Sequence, residues 1–214
     1  MSTASISYDD VVAWLTTATD RLDQAKAYLT ELDSAIGDAD HGINMSRGFA
    51  AVTAELPTVP AGDIGGLMKA AGKKLMSTVG GASGPLYWGY FTKFGNTVVG
   101  KPEIDFPEFV AGLEAGVADI AARGKAEPGD KTMLDALLPA LDALRAGRDR
   151  GDAPANVLAA AVVAAEQGML ATIPLVARKG RASYLGERSA GHQDPGATSS
   201  HLLLKAMADT FFKA

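Results

Sequence analysis

The chain has 214 residues, a formal net charge of -5 at neutral pH, 47% hydrophobic and 21% charged residues, and no cysteine. This length and balance predict one folded domain, 1–214, which buries a substantial core without disulfides. The acidic balance and the lack of any basic run longer than two residues argue against binding to nucleic acid or to an anionic membrane. Thiol chemistry is excluded.

The amino-terminal stretch MSTASISYDDVV lacks the basic start and apolar core of a signal peptide. The chain also contains no uninterrupted run of about 18 apolar residues, the length that a membrane-spanning helix needs. We therefore expect a soluble, cytoplasmic protein.

Apolar residues recur at steps of three and four, the spacing of one helix face, in eight segments. In chain order these predicted helices are 8–31, 45–56, 64–76, one with Pro85 in its first turn, 105–120, 134–144, 154–177 and about 198–212. Pro174 is expected to kink or break the seventh helix. No segment alternates with a period of two, so the predicted fold class is all-α.

The loop 178–197 is unusually long for a compact domain, and such loops are generally functional or disordered. Tyr184, Leu185 and the paired charges of this loop favour contacts over disorder. Its cations include Arg178, Lys179 and Arg181, so the loop can supply positive charge to an anionic site.

The segment LDSAIGDADHGINMSRGF, 32–49, places Asp33, Asp38 and Asp40 within eight positions. Carboxylates this close repel one another unless a cation lies among them, and oxygen ligands select Mg²⁺ or Ca²⁺ over Zn²⁺. Taken singly, Asp33 also fits a solvent-exposed helix end, Asp38 an Asx-turn and Asp40 a helix cap. Together, and followed by His-Gly, they favour a metal site.

Better-known acidic motifs do not fit this segment. An EF-hand beginning at Asp38 would require ligands at Gly42 and Phe49, which have none to offer. Nucleophilic-aspartate phosphatases and D-x-D glycosyltransferases place their aspartates after a buried strand, and no strand is predicted before Asp38. The three aspartates therefore belong to a different kind of site.

The stretch VGGASGP, 79–85, combines glycines, the Ser83 hydroxyl and the start of a helix. This combination suits a phosphate, whose oxygens accept backbone N–H groups, but it also suits a tight turn chosen for helix packing. It is not a Walker A motif. His41 is read equally well as an ordinary first-turn residue or as a phosphate contact.

Charge balance bears on the number of metal ions. Three aspartates and a nucleoside diphosphate carry about -6, which two Mg²⁺ ions and one or two arginines would largely offset. Two metal ions therefore fit this segment better than one.

Four motifs, in this order, resemble those of one family, the L subunits of dihydroxyacetone kinase, which are homologous to the nucleotide-binding domain of single-chain dihydroxyacetone kinases. They are LDSAIGDADHGINMSRGF, VGGASGPL, RGKAEPGDKTMLDAL and ARKGRASYLGERSAGHQDPGATS. The resemblance implies a closed barrel of eight antiparallel helices with ADP or ATP and two Mg²⁺ ions at one end. The sequence departs from the family pattern at Trp88, which bears on packing or on a partner surface.

The resemblance also implies roles for individual residues. Asp33, Asp38 and Asp40 would bind Mg²⁺, and Arg178 would act as a catalytic residue near the transferred group. The phosphate and nucleotide contacts would be His41, Gly42, Asn44, Ala82, Ser83, Gly124, Met133, Arg181, Asp194 and Pro195.

As a function, the resemblance implies a phosphotransferase subunit. Its bound ADP would receive a phosphoryl group from a DhaM-like phosphohistidine carrier of the phosphotransferase system and pass it to dihydroxyacetone held on a DhaK-like subunit. Two alternatives stay open. One is a kinase subunit that uses free ATP or a four-carbon ketose, and the other is a nucleotide-sensing partner of a transcription regulator.

Overall fold

The structure is a computed structural model that describes residues 5–212, and helices dominate it. Within this range the α-helices are α1 Tyr8–Gln24, α2 Lys26–Ile36, α3 His41–Glu55, α4 Ile64–Thr78, α5 Ser83–Thr97, α6 Phe106–Gly124, α7 Leu134–Arg150, α8 Pro154–Ala171 and α9 Pro195–Ala208. Short 3-10 segments cover Leu56–Thr58 and Arg181–Ser189. The first four residues of the stretch used for the cytoplasmic prediction lie outside the described range.

The first predicted helix, 8–31, is two helices. α1 and α2 meet at a turn at Ala25, whose N–H group still donates to the carbonyl of Arg21 at 3.0 Å. Leu22 before the turn and Leu29 after it are both buried. Because the apolar spacing runs through the turn undisturbed, the sequence pattern gives no sign of the interruption.

The prediction that no strand occurs is wrong. β1, Ser5–Ser7, pairs antiparallel with β2, Glu103–Asp105, and Ile6 lies opposite Ile104 in this ribbon. Both isoleucines are 1% exposed. Three residues are too few to show a period of two, and the partner strand is remote in sequence, so the pattern could not reveal the ribbon.

The last two helices also differ from their predicted bounds. α8 ends at Ala171 rather than at 177, and the chain turns three residues before Pro174. α9 begins at Pro195 rather than at 198, since Asp194 caps it by accepting the N–H group of Ala197 at 2.6 Å. Both shifts lengthen the connection between α8 and α9, which carries several predicted site residues.

Aromatic rings form the centre of one apolar core between the helices. Trp14 of α1 stacks on Phe91 of α5 with ring centroids 5.8 Å apart, and the indole N–H group donates to the carbonyl of Leu203 at 3.2 Å. Phe49 of α3 packs edge-to-face on Phe91 at 6.2 Å. The core therefore ties together helices that are remote in sequence.

Consecutive helices from α3 to α9 pack side by side, while α1 packs on both α3 and α9. Short connections make such neighbours antiparallel. The starts of α3, α5, α7 and α9 therefore lie at one end of the molecule, together with the end of α2. The starts of α1, α4, α6 and α8 lie at the other end, beside the ribbon.

Side chains cap three helices at the ribbon end. Ser7 and Asp10 satisfy each other's backbone N–H groups at α1, and Asp105 and Glu108 do the same at α6. Asp63 caps α4. These helix ends are thus closed by residues of the chain itself.

Trp88, where the sequence departs from the family pattern, is half-buried on α5. The guanidinium carbon of Arg123, on α6, lies 4.7 Å from the centroid of its ring. Arg123 also forms an ion pair with Asp119 one turn earlier. This cation–π contact helps to hold α5 against α6.

One helix within the described residues, α8, is long and apolar enough to cross a membrane by length and composition alone. Its buried residues are Val157, Leu158, Ala161, Ala165 and Met169, and the helix packs on α7 and α9. A helix that packs on the core of a folded domain passes the same test, so this feature carries no membrane assignment.

Candidate functional site

A cavity of about 260 Å³ opens where the starts of α3, α5, α7 and α9 meet the end of α2. All but two of the predicted site residues line it: Asp33, Asp38, Asp40, His41, Asn44, Ala82, Ser83, Gly124, Met133, Arg181, Asp194 and Pro195. Gly42 and Arg178 are not among the lining residues. The fold thus gathers four remote segments at one place, while the role of each residue stays a prediction.

The three aspartates lie at one side of the cavity, and one carboxylate oxygen of each is within 4.8 Å of the others. Asp33 is 8% exposed, and its Oδ2 accepts the backbone N–H groups of Asp40 at 2.8 Å and His41 at 3.1 Å. Asp40 makes no side-chain cap bond at α3. The alternatives of a solvent-exposed Asp33 and a capping Asp40 are therefore wrong.

This donor set fits a hard divalent cation. It offers carboxylate oxygens, and neither sulfur nor the ring of His41 belongs to the cluster. Arg181 Nη2 lies 3.0 Å from Asp38 Oδ2, so one guanidinium faces three carboxylates and leaves the group negative. Electrostatics therefore favour a bound cation.

The turn between the second and third aspartates has an unusual backbone. Ala39 has a φ of 61°, a left-handed conformation that residues with a Cβ rarely adopt. Such local strain occurs where surrounding structure fixes a functional turn. Here it sets the direction of the chain between Asp38 and Asp40.

The glycine-rich turn faces the aspartates across the start of α3. A Cβ on Gly80 would lie 2.9 Å from Asn44 Nδ2, so a glycine there leaves room for the amide. Gly81 has a φ of 63°, and α5 begins at Ser83 without a side-chain cap. The backbone N–H groups at this helix start are suited to accept an anion rather than a side chain.

His41 is buried at the start of α3, and its ring points to α9. Its Nε2 lies 2.9 Å from Ser199 Oγ, and Tyr87 Oη lies 3.3 Å from the same hydroxyl. Burial lowers the pKa of His41, which favours the neutral imidazole at pH 7. The ring is thus held by α9, and contact with a phosphate stays a prediction.

Gly42 packs against α2 instead of lining the cavity. A Cβ at this position would collide with the carbonyl of Lys26 and with Thr30. The glycine therefore allows α3 to start close beside α2, which brings Asp33 near to Asp40.

The opposite wall of the cavity is apolar. It contains Leu86 of α5, Ile120 and Gly124 of α6, and Met133 and Leu134 at the start of α7. A planar base can pack on such a surface, whereas a free phosphate cannot. The cavity therefore has one charged side and one apolar side.

Lys131 connects this wall to the segment between α8 and α9. It is 1% exposed, and its ammonium group donates to the carbonyls of Thr172 at 2.7 Å and Leu175 at 3.2 Å, and also to that of His192. Burial lowers its pKa, with Asp194 opposing that effect. This lysine fastens both ends of the segment that carries Arg178 and Arg181.

Arg178 lies next to the lining residues Lys179 and Gly180, but its own side chain is 74% exposed. Its backbone N–H group donates to the carbonyl of Asp130 at 3.1 Å, and its Nη1 is 3.9 Å from Asp130 Oδ1. The guanidinium is thus held at the edge of the cavity, facing solvent.

A small apolar cluster, separate from the main core, packs this segment onto α2. It consists of Ile36, Ala177 and Ala182 with the partly buried Leu185. The segment therefore makes contacts, as its composition predicted. Tyr184 is 87% exposed.

Asp194 is buried at the start of α9, and its N–H group donates to Thr172 Oγ1 at 3.0 Å. Burial raises the pKa of Asp194 to about 7, and Asp135 adds to the effect. Its proton therefore titrates near neutral pH.

Sequence reasoning missed several residues of the cavity. Leu86 and Ile120 follow the helix period, so in sequence they look like ordinary core residues. Lys131 carries no pattern, because its carbonyl partners begin forty-one residues later. The motif RGKAEPGDKTMLDAL contains Lys131 and was the available signal, although it does not single out that residue.

Comparisons with known proteins agree with this geometry. Residues 35–209 match the DAK2 domain family. The chain is 44% identical over 204 residues to the "PEP-dependent dihydroxyacetone kinase, ADP-binding subunit DhaL" of Escherichia coli (strain K12), covering 95% of this chain and 97% of that protein. It is 46% identical over 195 residues to the subunit of the same name from kinase 2 of Listeria innocua, covering 90% of each.

A solved structure is also similar. The dihydroxyacetone kinase from C. freundii in complex with AMP-PNP and Mg²⁺ matches with a TM-score of 0.72 at 28% identity. The match covers 93% of this chain but 33% of that one, so the chain corresponds to one third of that kinase.

Proposed function

Because the chain belongs to the DAK2 domain family, we propose that it is the ADP-binding subunit of a phosphoenolpyruvate-dependent dihydroxyacetone kinase. Its enzyme class is therefore that of a phosphotransferase, and it works with other subunits. The remaining two thirds of the C. freundii kinase have no counterpart here, whereas whole ADP-binding subunits align almost completely. This difference favours the carrier-dependent reading over a self-sufficient kinase.

One observation carries the proposal: a single cavity joins an acidic cluster, a glycine-rich helix start and an apolar wall. A nucleoside diphosphate has the matching parts, a flat base and a charged diphosphate that requires cations. We place the base on the apolar wall beside Gly124 and Met133, and the phosphates beside Asn44, Ala82 and Ser83. Contacts from His41, Gly42, Arg181, Asp194 and Pro195 complete the proposed nucleotide site.

Asp33, Asp38 and Asp40 are the proposed Mg²⁺ ligands, and the charge balance supports two ions. Bound Mg²⁺ supplies positive charge to the phosphate oxygens. Asp33 has a second role, because its carboxylate fixes the backbone of Asp40 and His41. It thereby positions the carboxylate of Asp40.

The architecture proposed for this site is a closed barrel of eight antiparallel helices, with α1 and α2 counted as one. The contact of α9 with α1 supports closure. In a closed arrangement the loops at one end converge on the cavity, which accounts for the meeting of four remote segments there.

The proposed partners are a DhaK-like subunit that holds the ketose and a DhaM-like carrier that donates the phosphoryl group, all in the cytoplasm. Arg178 is the proposed catalytic residue, because its exposed guanidinium at the cavity edge can meet the transferred group on a docked partner. The chain then needs no ketose site of its own.

Native mass spectrometry of the purified chain tests the nucleotide site, with one ADP and two Mg²⁺ ions as the expected bound mass. Reconstitution with carrier, acceptor subunit and phosphoenolpyruvate tests the activity, which should require all of them. Turnover with free ATP and no carrier, or with a four-carbon ketose alone, would support the alternative kinase. Regulator binding that depends on nucleotide without turnover would support the sensor.

A further inference from the structure

We propose that Arg47 is a positioning residue that orients the amide of Asn44 toward the phosphates. This inference rests on the proposed nucleotide site, since it assigns a task to a residue beside it. Arg47 is exposed on α3, one turn after Asn44, and is not among the residues lining the cavity. It acts only through Asn44 and the glycine-rich turn.

The hydrogen bond between the two side chains fixes which way the amide faces. Arg47 Nη2 lies 2.6 Å from Asn44 Oδ1. A guanidinium only donates hydrogen bonds, so the atom facing it must be the carbonyl oxygen of the amide. The NH₂ group is therefore turned away from Arg47.

The NH₂ group then lies beside the glycine-rich turn. Asn44 Nδ2 would be the nearest atom, at 2.9 Å, to a Cβ placed on Gly80. Asn44 is 6% exposed and lines the cavity. Its two N–H groups are thus in position to donate to an anion held by the turn, whereas a flipped amide would present an oxygen and repel that anion.

The same guanidinium also anchors the turn. Arg47 Nε donates to the carbonyl of Thr78 at 2.9 Å, and Thr78 ends α4 just before the glycines. One rigid fork therefore sets the distance between α3 and the segment leading to Gly80 while it orients Asn44. The single ammonium of a lysine does not hold two acceptors in this fixed geometry.

A double-mutant cycle separates this role from a direct electrostatic effect of the arginine. ADP affinity in the presence of Mg²⁺ is measured by calorimetry for wild type, Arg47→Met, Asn44→Ala and the double variant. We expect Arg47→Met to weaken ADP binding about tenfold, the size of one charged hydrogen bond. In the Asn44→Ala background the same change should have no further effect.

The outcomes distinguish the inference from the proposed function. If Arg47→Met weakens binding equally in both backgrounds, the arginine acts without Asn44 and the inference is overturned, while the nucleotide site stands. If Asn44→Ala binds ADP like wild type, the phosphate role proposed for Asn44 fails, and the inference fails with it. Wild-type affinity in Arg47→Met also contradicts the inference.

Two controls complete the design. Arg150→Met removes an exposed arginine at the far end of α7, where it bonds Asp152, and should leave ADP affinity unchanged. Thermal unfolding shows whether each variant is folded. Should Arg47→Met not fold, Arg47→Lys enters the same cycle, with weakened binding expected only when Asn44 is present.

Discussion

The two ends of the molecule begin their helices in opposite ways. At the ribbon end, Ser7, Asp63 and Asp105 cap α1, α4 and α6 with their side chains. At the cavity end, α3, α5 and α7 start without a side-chain cap bond. One end thus satisfies its backbone donors within the chain, while the other leaves helix starts suited to anions.

The exception at the cavity end sharpens the contrast. Asp194 caps α9, but it is buried, and burial raises its pKa. Asp63 at the ribbon end accepts the N–H group of Gly66 near solvent, and this bond lowers its pKa. The same kind of cap is therefore electrostatically favourable at one end and costly at the other.

The largest expected effect is on the acidic cluster. Asp38→Ala and Asp40→Ala should each weaken Mg²⁺-dependent ADP binding about a hundredfold or more, because each removes an ion ligand. Calorimetry with and without Mg²⁺ measures this, and circular dichroism should show an unchanged helical fold. Asp142→Ala, an exposed aspartate on α7, is the matched control. Wild-type affinity in either cluster variant would remove the metal assignment.

The next effect concerns the cap at the cavity end. The pKa of Asp194 is about 7 in the folded chain, against an ordinary value of 3.8. Between these values the folded protein keeps a proton that the unfolded chain has lost, so this group lowers stability as pH rises from about 4 to about 7. Asp194→Asn lacks this titration and keeps an oxygen for the N–H group of Ala197.

We expect Asp194→Asn to exceed the nucleotide-free wild type in free energy of unfolding by about 2 kcal/mol at pH 7.5, and by little at pH 4. Denaturant titrations across this range measure the difference. A difference that does not change with pH would show that the carboxyl group does not titrate as described.

At the ribbon end the opposite result is expected. Asp105→Ala removes one half of the capping box with Glu108, so the free energy of unfolding should fall by about 1 kcal/mol. ADP affinity should stay at the wild-type value, because the cavity lies at the other end. A loss of ADP binding beyond the change in stability would break the comparison between the two ends.

The smallest effect is expected at the strained turn. Ala39→Gly relieves a left-handed conformation but adds freedom to the unfolded chain, so stability should rise by only about 0.5 kcal/mol. ADP binding should weaken a few-fold, because a glycine fixes the turn between the aspartates less firmly. Ala50→Gly on the exposed side of α3 is the control and should only destabilise. Lower stability in Ala39→Gly would show that the turn is not strained.

The parts of the molecule that sequence predicts are those with a local signature. Helices appear because apolar residues recur every three or four positions, and the aspartate segment appears because its charges are adjacent in the chain. The ribbon at Ile6 and Ile104 escaped because strands of three residues carry no period. The turn at Ala25 escaped because the apolar face continues across it.

The candidate site divides in the same way. Motifs indicated the residues on each loop, and the fold brings most of them to one cavity. Motifs could not show that Gly42 serves helix packing or that the ring of His41 turns to Ser199, because both depend on a helix remote in sequence. Lys131 and Arg47 also act through distant backbone, which no local pattern encodes.

The ribbon end has a consequence for how this domain can be joined to others. Ser5 pairs with Asp105, and the ring of Phe212 lies 5.8 Å from that of Phe106, the next residue along. The described chain therefore enters and leaves within a small area on the side away from the cavity. A neighbouring domain fused through either of these points would leave the mouth open, so one helical unit can serve both as a free subunit and as a module within a kinase three times its length.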